Sequence, residues 1–100
     1  MSGWSFITNH TRVLQCIASD GGARLRDIAA CADLTERTTH TIVSDLCRDG
    51  YVSKRRVGTR NFYEIHPEQP LKGGGGEGRT VGDLLRALGE HPAHAGVQAG

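Results

Sequence analysis

The chain has 100 residues, 37% hydrophobic and 5% aromatic, which suffices for one compact domain with a modest core. Its 12 basic and 11 acidic side chains leave a formal net charge of only +1, so any strong positive charge must be local. The sequence contains no apolar run of the roughly 20 residues that span a bilayer, and none of signal-peptide length near its start. These features exclude a membrane-spanning protein and predict a soluble, cytoplasmic one.

The first half of the sequence predicts three helices. The first lies within residues 7–20, where apolar side chains recur at helical spacing, and the second spans residues 25–32. After a turn too short for another element, the third helix covers residues 35–49. Thr35 is its predicted N-cap, and Gly50 is placed to end it.

Beyond the third helix the hydrophobic period changes from that of a helix to that of a strand. The runs YVSKRR and NFYEI predict two short strands joined as a hairpin. In the second run, Tyr63 and Ile65 are expected on one face and Phe62 and Glu64 on the other. Pro67 ends the strand.

The last third of the chain is rich in glycine, which predicts that the folded domain ends before it and that a flexible linker follows. We expect a folded domain over residues 1–71, a glycine-rich flexible linker over residues 72–79, a short helix over residues 80–89, and a disordered tail over residues 90–100. A helix this short is unstable alone in water, so either its apolar stripe docks on its own domain or on a second subunit, or the segment is disordered. The residues predicted for a dimer interface are Trp4, Phe6, Val81, Leu84, Leu85 and Leu88.

The three cysteines, Cys16, Cys31 and Cys47, are odd in number and include no CxxC pair. This pattern argues against a disulfide framework and for a reducing, intracellular setting. We expect each of them to be a small, semi-buried hydrophobic residue.

The third predicted helix has two chemically distinct sides. One side is apolar, and the opposite side displays Arg37, Thr41, Ser44 and Arg48, with His40 at its margin. Side chains of this kind read base edges and bind phosphates, and arginine in particular makes bidentate contacts to guanine. Arg37 is therefore the strongest candidate for reading a base.

The predicted hairpin has a basic turn, KRRVGTRNFY, with four cations within seven residues. From Arg48 to Phe62 there are five cations and one anion, a local charge of +4 in a chain of +1. A basic hairpin beside a polar helix predicts contact with a phosphate backbone, although many charge runs are only solvated turns. The residues predicted to bind DNA are Thr35, Arg37, His40, Thr41, Ser44, Arg48, Lys54, Arg55, Arg56, Arg60 and Asn61.

The run RLRDIAACADLTERTTHTIVSDLCRDGYVSKRRVGTRNFYEIHP resembles the DNA-binding core of small bacterial MarR/ArsR-like winged-helix regulators, over roughly residues 8–67. The resemblance implies a mostly α, α+β fold: a winged helix-turn-helix of three helices and a two-stranded wing hairpin, here followed by a short C-terminal helix. It also implies a homodimer on double-stranded DNA in the nucleoid, with recognition helix 35–49 in the major groove and basic wing 54–61 on the backbone or minor groove. Asp33 departs from the pattern, because such turns commonly carry glycine.

The resemblance leaves cofactors and effectors undefined. ArsR-like sensors often bind metal through closely spaced cysteines on a helix, and this sequence has no such pair, so we expect no metal and no cofactor. A small-molecule effector is unknown from the sequence. No catalytic motif is recognisable, so we do not expect an enzyme.

A winged-helix module that binds another protein, without specific DNA binding, is the alternative. Such modules tend to show apolar residues on the outer side of the third helix. Arg37, Thr41 and Ser44 argue against it, whereas an exposed Phe62 argues for it.

Overall fold

The computed structural model describes residues 7–73, 75 and 77–89, so the predictions for Trp4, Phe6 and the tail over residues 90–100 lie outside the described residues. Over these ranges the fold is the predicted winged helix-turn-helix, mostly helical, with an antiparallel two-stranded sheet and a short C-terminal helix. The elements in chain order are α1 (Asn9–Ser19), α2 (Leu25–Ala32), α3 (Glu36–Arg48), β1 (Val52–Val57), β2 (Arg60–Ile65) and α4 (Val81–Ala87).

Helices α1, α3 and α4 each begin at a threonine cap. The Thr8 hydroxyl accepts a hydrogen bond from the backbone N–H of Thr11 at 3.2 Å, and Thr35 does the same for Thr38 at 3.1 Å. Thr80 accepts the N–H of Asp83 at 3.1 Å, and the Asp83 carboxylate accepts the N–H of Thr80 in return. Such a cap stabilises a helix by about 1 kcal/mol, which fixes where these three helices start.

The turn between α2 and α3 keeps its left-handed geometry without a glycine. Asp33 has φ 58° and ψ 48°, a region that aspartate tolerates better than most residues. The N–H of Leu34 donates to the carbonyl of Ala29 at 2.9 Å, which closes the end of α2. The departure at Asp33 therefore leaves the helix-turn-helix intact.

The core lies where the first three helices, the base of the hairpin and α4 meet. It includes a buried polar residue, Thr39, whose hydroxyl donates to the carbonyl of Thr35 at 2.8 Å and so has a partner. The predicted apolar side of α3 faces this core. The main side chains of the core are Val13, Ile17, Ile28, Ile42, Leu46, Val52, Tyr63, Ile65, Val81 and Leu85.

The glycine-rich segment expected to be a linker connects two stretches that pair with each other. The N–H of Leu71 donates to the carbonyl of Arg79 at 2.9 Å, and an antiparallel bridge joins Pro70 to Thr80. The N–H of Val81 continues the pairing to the carbonyl of Gln69 at 2.9 Å. These bonds return the chain to the domain immediately before α4.

Helix α4 packs into the core of its own domain. Val81 is 1% exposed and Leu85 is fully buried. Gly82 permits the close approach, because a Cβ at this position would lie 2.9 Å from the carbonyl oxygen of Pro67. The N–H of Gly82 donates to that same oxygen at 2.8 Å. Of the three possibilities that the sequence left open for this segment, the structure shows docking on its own domain.

The expectation that the cysteines form no disulfide is wrong, because Cys16 and Cys31 are bonded. Packing of α1 against α2 brings the Cα atoms of Cys16 and Cys31 to 6.0 Å, within the range that a disulfide needs, although they lie 15 positions apart in sequence. Cys47 is free and half-buried, and burial raises the pKa of its thiol. Within the described residues, none of the helices is long and apolar enough to cross a membrane.

Candidate nucleic-acid interface

The outer side of α3 is polar and accessible along its whole length. Arg37, His40, Thr41 and Ser44 are exposed, as the helical spacing predicted, while the opposite side is buried. Thr35, the N-cap, is exposed at the start of the same helix. The helix therefore presents donors and short polar side chains to solvent over a length suited to a DNA groove.

Arg37 is the most available cation of this helix. Its guanidinium has no hydrogen-bond or ion-pair partner in the part of the chain that the structure describes, and it projects from the first turn. The Thr41 hydroxyl donates to the backbone carbonyl of Arg37 at 3.2 Å, so it is partly engaged within the helix. Arg37 thus retains all five of its donors for a ligand.

Arg48, at the other end of α3, is already paired. Its guanidinium lies 2.9 Å from the carboxylate of Asp45 and 3.9 Å from that of Asp49. Asp45 also lies 3.0 Å from the Nε2 of His10 on α1, and this hydrogen bond is the main cause of the lowered pKa of Asp45. Arg48 therefore has a carboxylate partner in Asp45, whereas Asp49 lies closer to Lys72, at 3.1 Å.

The register of the hairpin divides the basic residues between two faces. Lys54 lies opposite Tyr63 and Arg56 opposite Asn61, while Arg55 lies opposite Phe62. Paired residues in an antiparallel sheet share a face, and Tyr63 is buried towards the core. Lys54, Arg56 and Asn61 therefore lie on the face that continues from the core, and Arg55 lies on the opposite face.

Arg60 holds the hairpin against the loop between α1 and α2. Its guanidinium lies over the ring of Phe62, 5.2 Å from the centroid, and donates to the carbonyl oxygen of Gly22. The backbone N–H of Tyr63 donates to the carbonyl of Gly21 at 2.9 Å. Phe62 is half-buried and not exposed, so it offers a protein partner less apolar surface than the sequence predicted.

Helix α3 and the hairpin meet in a cleft of about 320 Å³, here named the helix–wing cleft. An adjoining hollow of about 330 Å³ extends it towards the hairpin turn and the start of α2. Side chains from both predicted parts line these two spaces together: His40, Ser44, Cys47, Lys54, Arg60, Asn61 and Tyr63. The polar side of α3 and part of the basic hairpin therefore face one common space.

Arg24 is a lining residue that sequence reasoning missed. It is exposed at the N-cap position of α2 and lines the hollow together with His40 and Lys54. Its backbone N–H donates to the Asp27 carboxylate at 3.2 Å, which leaves the guanidinium to solvent. The signal in the sequence was an arginine directly before the first helix of the helix-turn-helix.

The residues predicted for dimer contacts fall into separate groups. Val81 and Leu85 are buried in the core, so they are not available to a second subunit. Leu84 and Leu88 are half-buried and reach the surface of α4. Leu84 also lines a surface hollow of about 450 Å³ between α1, the end of α3 and α4.

The described residues contain no group of three or more histidine, cysteine, aspartate or glutamate side chains that could hold a metal ion. The chemistry that the helix–wing cleft offers is hydrogen-bond donation and positive charge. Such groups bind phosphates and base edges.

Three helices, a tight helix-turn-helix turn and a wing hairpin define a winged helix-turn-helix protein. The model of the IclR helix-turn-helix domain matches residues 7–56, half of the chain. The chain belongs to this family and carries a DNA-binding domain of transcription regulators. This match does not confirm the resemblance of the sequence to MarR/ArsR-like regulators in particular. Comparisons with curated proteins and with solved structures gave no match.

Proposed function

We propose that the chain is a sequence-specific transcription regulator that binds double-stranded DNA as a homodimer in the bacterial cytoplasm, associated with the nucleoid. Helix α3 lies in the major groove, and the wing lies along the backbone or minor groove. The observation that carries this proposal is the helix–wing cleft, where His40 and Ser44 of α3 face Lys54 of the wing.

The two parts of the surface have different roles. Arg37, whose guanidinium has no partner among the described residues, reads a base, and Thr41 and Ser44 lie one and two turns further along the groove. Lys54, Arg56 and the other wing residues neutralise phosphates, which adds affinity without base preference. The overall charge of +1 suits this division, because the attraction is confined to one surface.

A titration of labelled DNA followed by fluorescence anisotropy tests the proposal. Fragments chosen by binding-site selection from genomic DNA are compared with random DNA at low and at physiological salt. We expect preference for the selected fragments, and a logarithmic salt slope of about 0.9 for each phosphate contacted. Failure to prefer any fragment over random DNA at low salt would refute sequence-specific binding. It would also favour a protein-binding module.

The two faces of the wing predict unequal effects of neighbouring arginines. Arg56→Ala removes one cation from the face that continues towards α3. We expect weaker binding to all sequences alike, and a salt slope reduced by about 0.9 for each phosphate that the wing no longer neutralises. Arg55→Ala, on the opposite face, is the matched control and should change the slope less.

Salt slopes of each variant on one specific and one random fragment provide the measurement. Equal losses of affinity from Arg55→Ala and Arg56→Ala would contradict this prediction, because they would show that both faces of the wing contact DNA. Arg56→Lys should recover most of the slope, because it keeps the charge.

In the proposed homodimer, the side of α4 that does not face the core lies at the contact between the two subunits. Leu84 and Leu88 are apolar residues of this helix that reach the surface. We expect Leu84→Ser combined with Leu88→Ser to shift the protein towards a monomer, because each change removes apolar area from the contact. Sedimentation equilibrium measures the shift, and thermal unfolding of the same variant checks that the domain stays folded. An unchanged dimer would exclude this face of α4.

A further inference from the structure

The disulfide between Cys16 and Cys31 joins α1 to the last turn of α2. Cys16 lies on the inner side of α1 and is 7% exposed, whereas Cys31 is an exposed residue on α2. The bond therefore has one end in the core and one end that solvent reaches.

The exposed end lies close to the turn that positions the recognition helix. Cys31 precedes Asp33, the left-handed residue of the turn, by two positions, and Thr35 caps α3 two residues later. The hydrogen bond from Leu34 to Ala29 ties this turn to α2 itself. A covalent bond at Cys31 thus restrains the end of α2, and through it the start of α3, relative to α1.

We propose that Cys16 and Cys31 form a reversible disulfide whose state changes the affinity of this protein for DNA. This inference rests on the proposed function. With the bond formed, α2, the first helix of the helix-turn-helix, is held against α1 in the arrangement seen in the structure. With the bond reduced, only packing holds α1 against α2, and binding DNA has to restrict the added motion.

The co-reactant is a low-molecular-weight disulfide such as oxidised glutathione. The Cys31 thiolate attacks one glutathione sulfur, which forms a mixed disulfide at Cys31 and releases one glutathione thiolate. The Cys16 thiolate then attacks the Cys31 sulfur, which forms the Cys16–Cys31 bond and releases the second. Two protein thiols are oxidised, one oxidised glutathione is reduced to two thiols, and the two protons pass to the released thiolates.

Burial decides which sulfur reacts first with a partner from solution. Because Cys31 is exposed and Cys16 is not, attack by a reducing thiol is expected at Cys31, and Cys16 is then the leaving group. The reduced domain should remain folded. Val13, Ile17, Ile28 and Ala32 continue to pack α1 against α2, since all four are buried.

The experiment equilibrates the full chain in glutathione buffers of graded ratio. Free thiols are counted after denaturation, and the oxidised protein should show one, Cys47, while the reduced protein should show all three. For a cross-link that spans 15 residues, we expect reduction to lower Tm by roughly 10–20 °C. On the same samples, affinity for a selected DNA fragment should fall about 3- to 10-fold on reduction.

Two single variants control this experiment. Cys31→Ser should bind DNA like the reduced protein at every glutathione ratio, and Cys16→Ser, which removes the other sulfur of the bond, should do the same. Three free thiols at every ratio would overturn the disulfide itself. Equal DNA affinity in the two states, with one and three thiols counted, would overturn the regulatory part alone. Absence of DNA binding in both states would instead refute the proposed function, and the thiol count would still report on the bond.

Discussion

Replacing Arg37 by alanine is expected to lower affinity for the selected DNA site about 10- to 100-fold, the effect of losing one bidentate contact to a base. Affinity for random DNA should change little, because most of the non-specific attraction comes from other cations. The physical reason is that the Arg37 guanidinium has no partner within the described residues and projects from the first turn of α3. Parallel anisotropy titrations on selected and random fragments give the ratio that measures this effect.

Two further variants separate base reading from charge at this position. Arg37→Lys keeps the charge but loses the planar fork, so it should retain random binding and lose most of the preference. Arg79→Ala removes an equal charge from the exposed segment before α4 and should leave the preference unchanged. If Arg37→Ala weakens selected and random fragments by the same factor, Arg37 holds phosphate and does not read a base.

Leu85→Ala is expected to destabilise the domain by about 2–5 kcal/mol, the usual range for truncating a buried leucine. Leu85 is fully buried, and α4 is anchored at its start by the N–H of Val81 and by the contact of Gly82 with Pro67. The substitution leaves a cavity. The helix cannot move to fill this cavity, because these contacts hold its start in place. Urea unfolding followed by circular dichroism measures the change.

The matched control on the same helix is Leu88→Ala, at a half-buried position. It should cost clearly less than Leu85→Ala, because less apolar surface returns to water. A loss below about 0.5 kcal/mol for Leu85→Ala would mean that α4 is not part of the core.

The sequence predicted the structure best where the spacing of hydrophobic residues and a helix N-cap indicated the same element. The polar side of α3 followed from helical spacing, and Thr35 marked its start. The change of period after Gly50 predicted the hairpin, and the faces of Tyr63 and Phe62 followed from alternation alone. These features depend on neighbours within a few residues, which a sequence displays directly.

The features that the sequence did not yield depend on contacts between distant residues. Cys16 and Cys31 meet only because α1 packs on α2, and no spacing rule encodes that contact. A helical projection places Arg48 on the polar side of α3, but does not show that its guanidinium pairs with Asp45 at the same end of the helix. Such a projection gives the side of the helix on which a residue lies. It does not show which ion pairs the flexible side chains on that side form.

The paired stretches on either side of the glycine-rich segment have a practical consequence. Because the bonds of Leu71 with Arg79 and of Pro70 with Thr80 close the segment at its base, its length is not what positions α4. Lengthening a closed loop adds only a small entropic cost. A peptide tag or fluorescent reporter inserted beside Gly75 should therefore be accommodated, giving a labelled protein whose DNA titrations can be followed without altering the residues that line the helix–wing cleft.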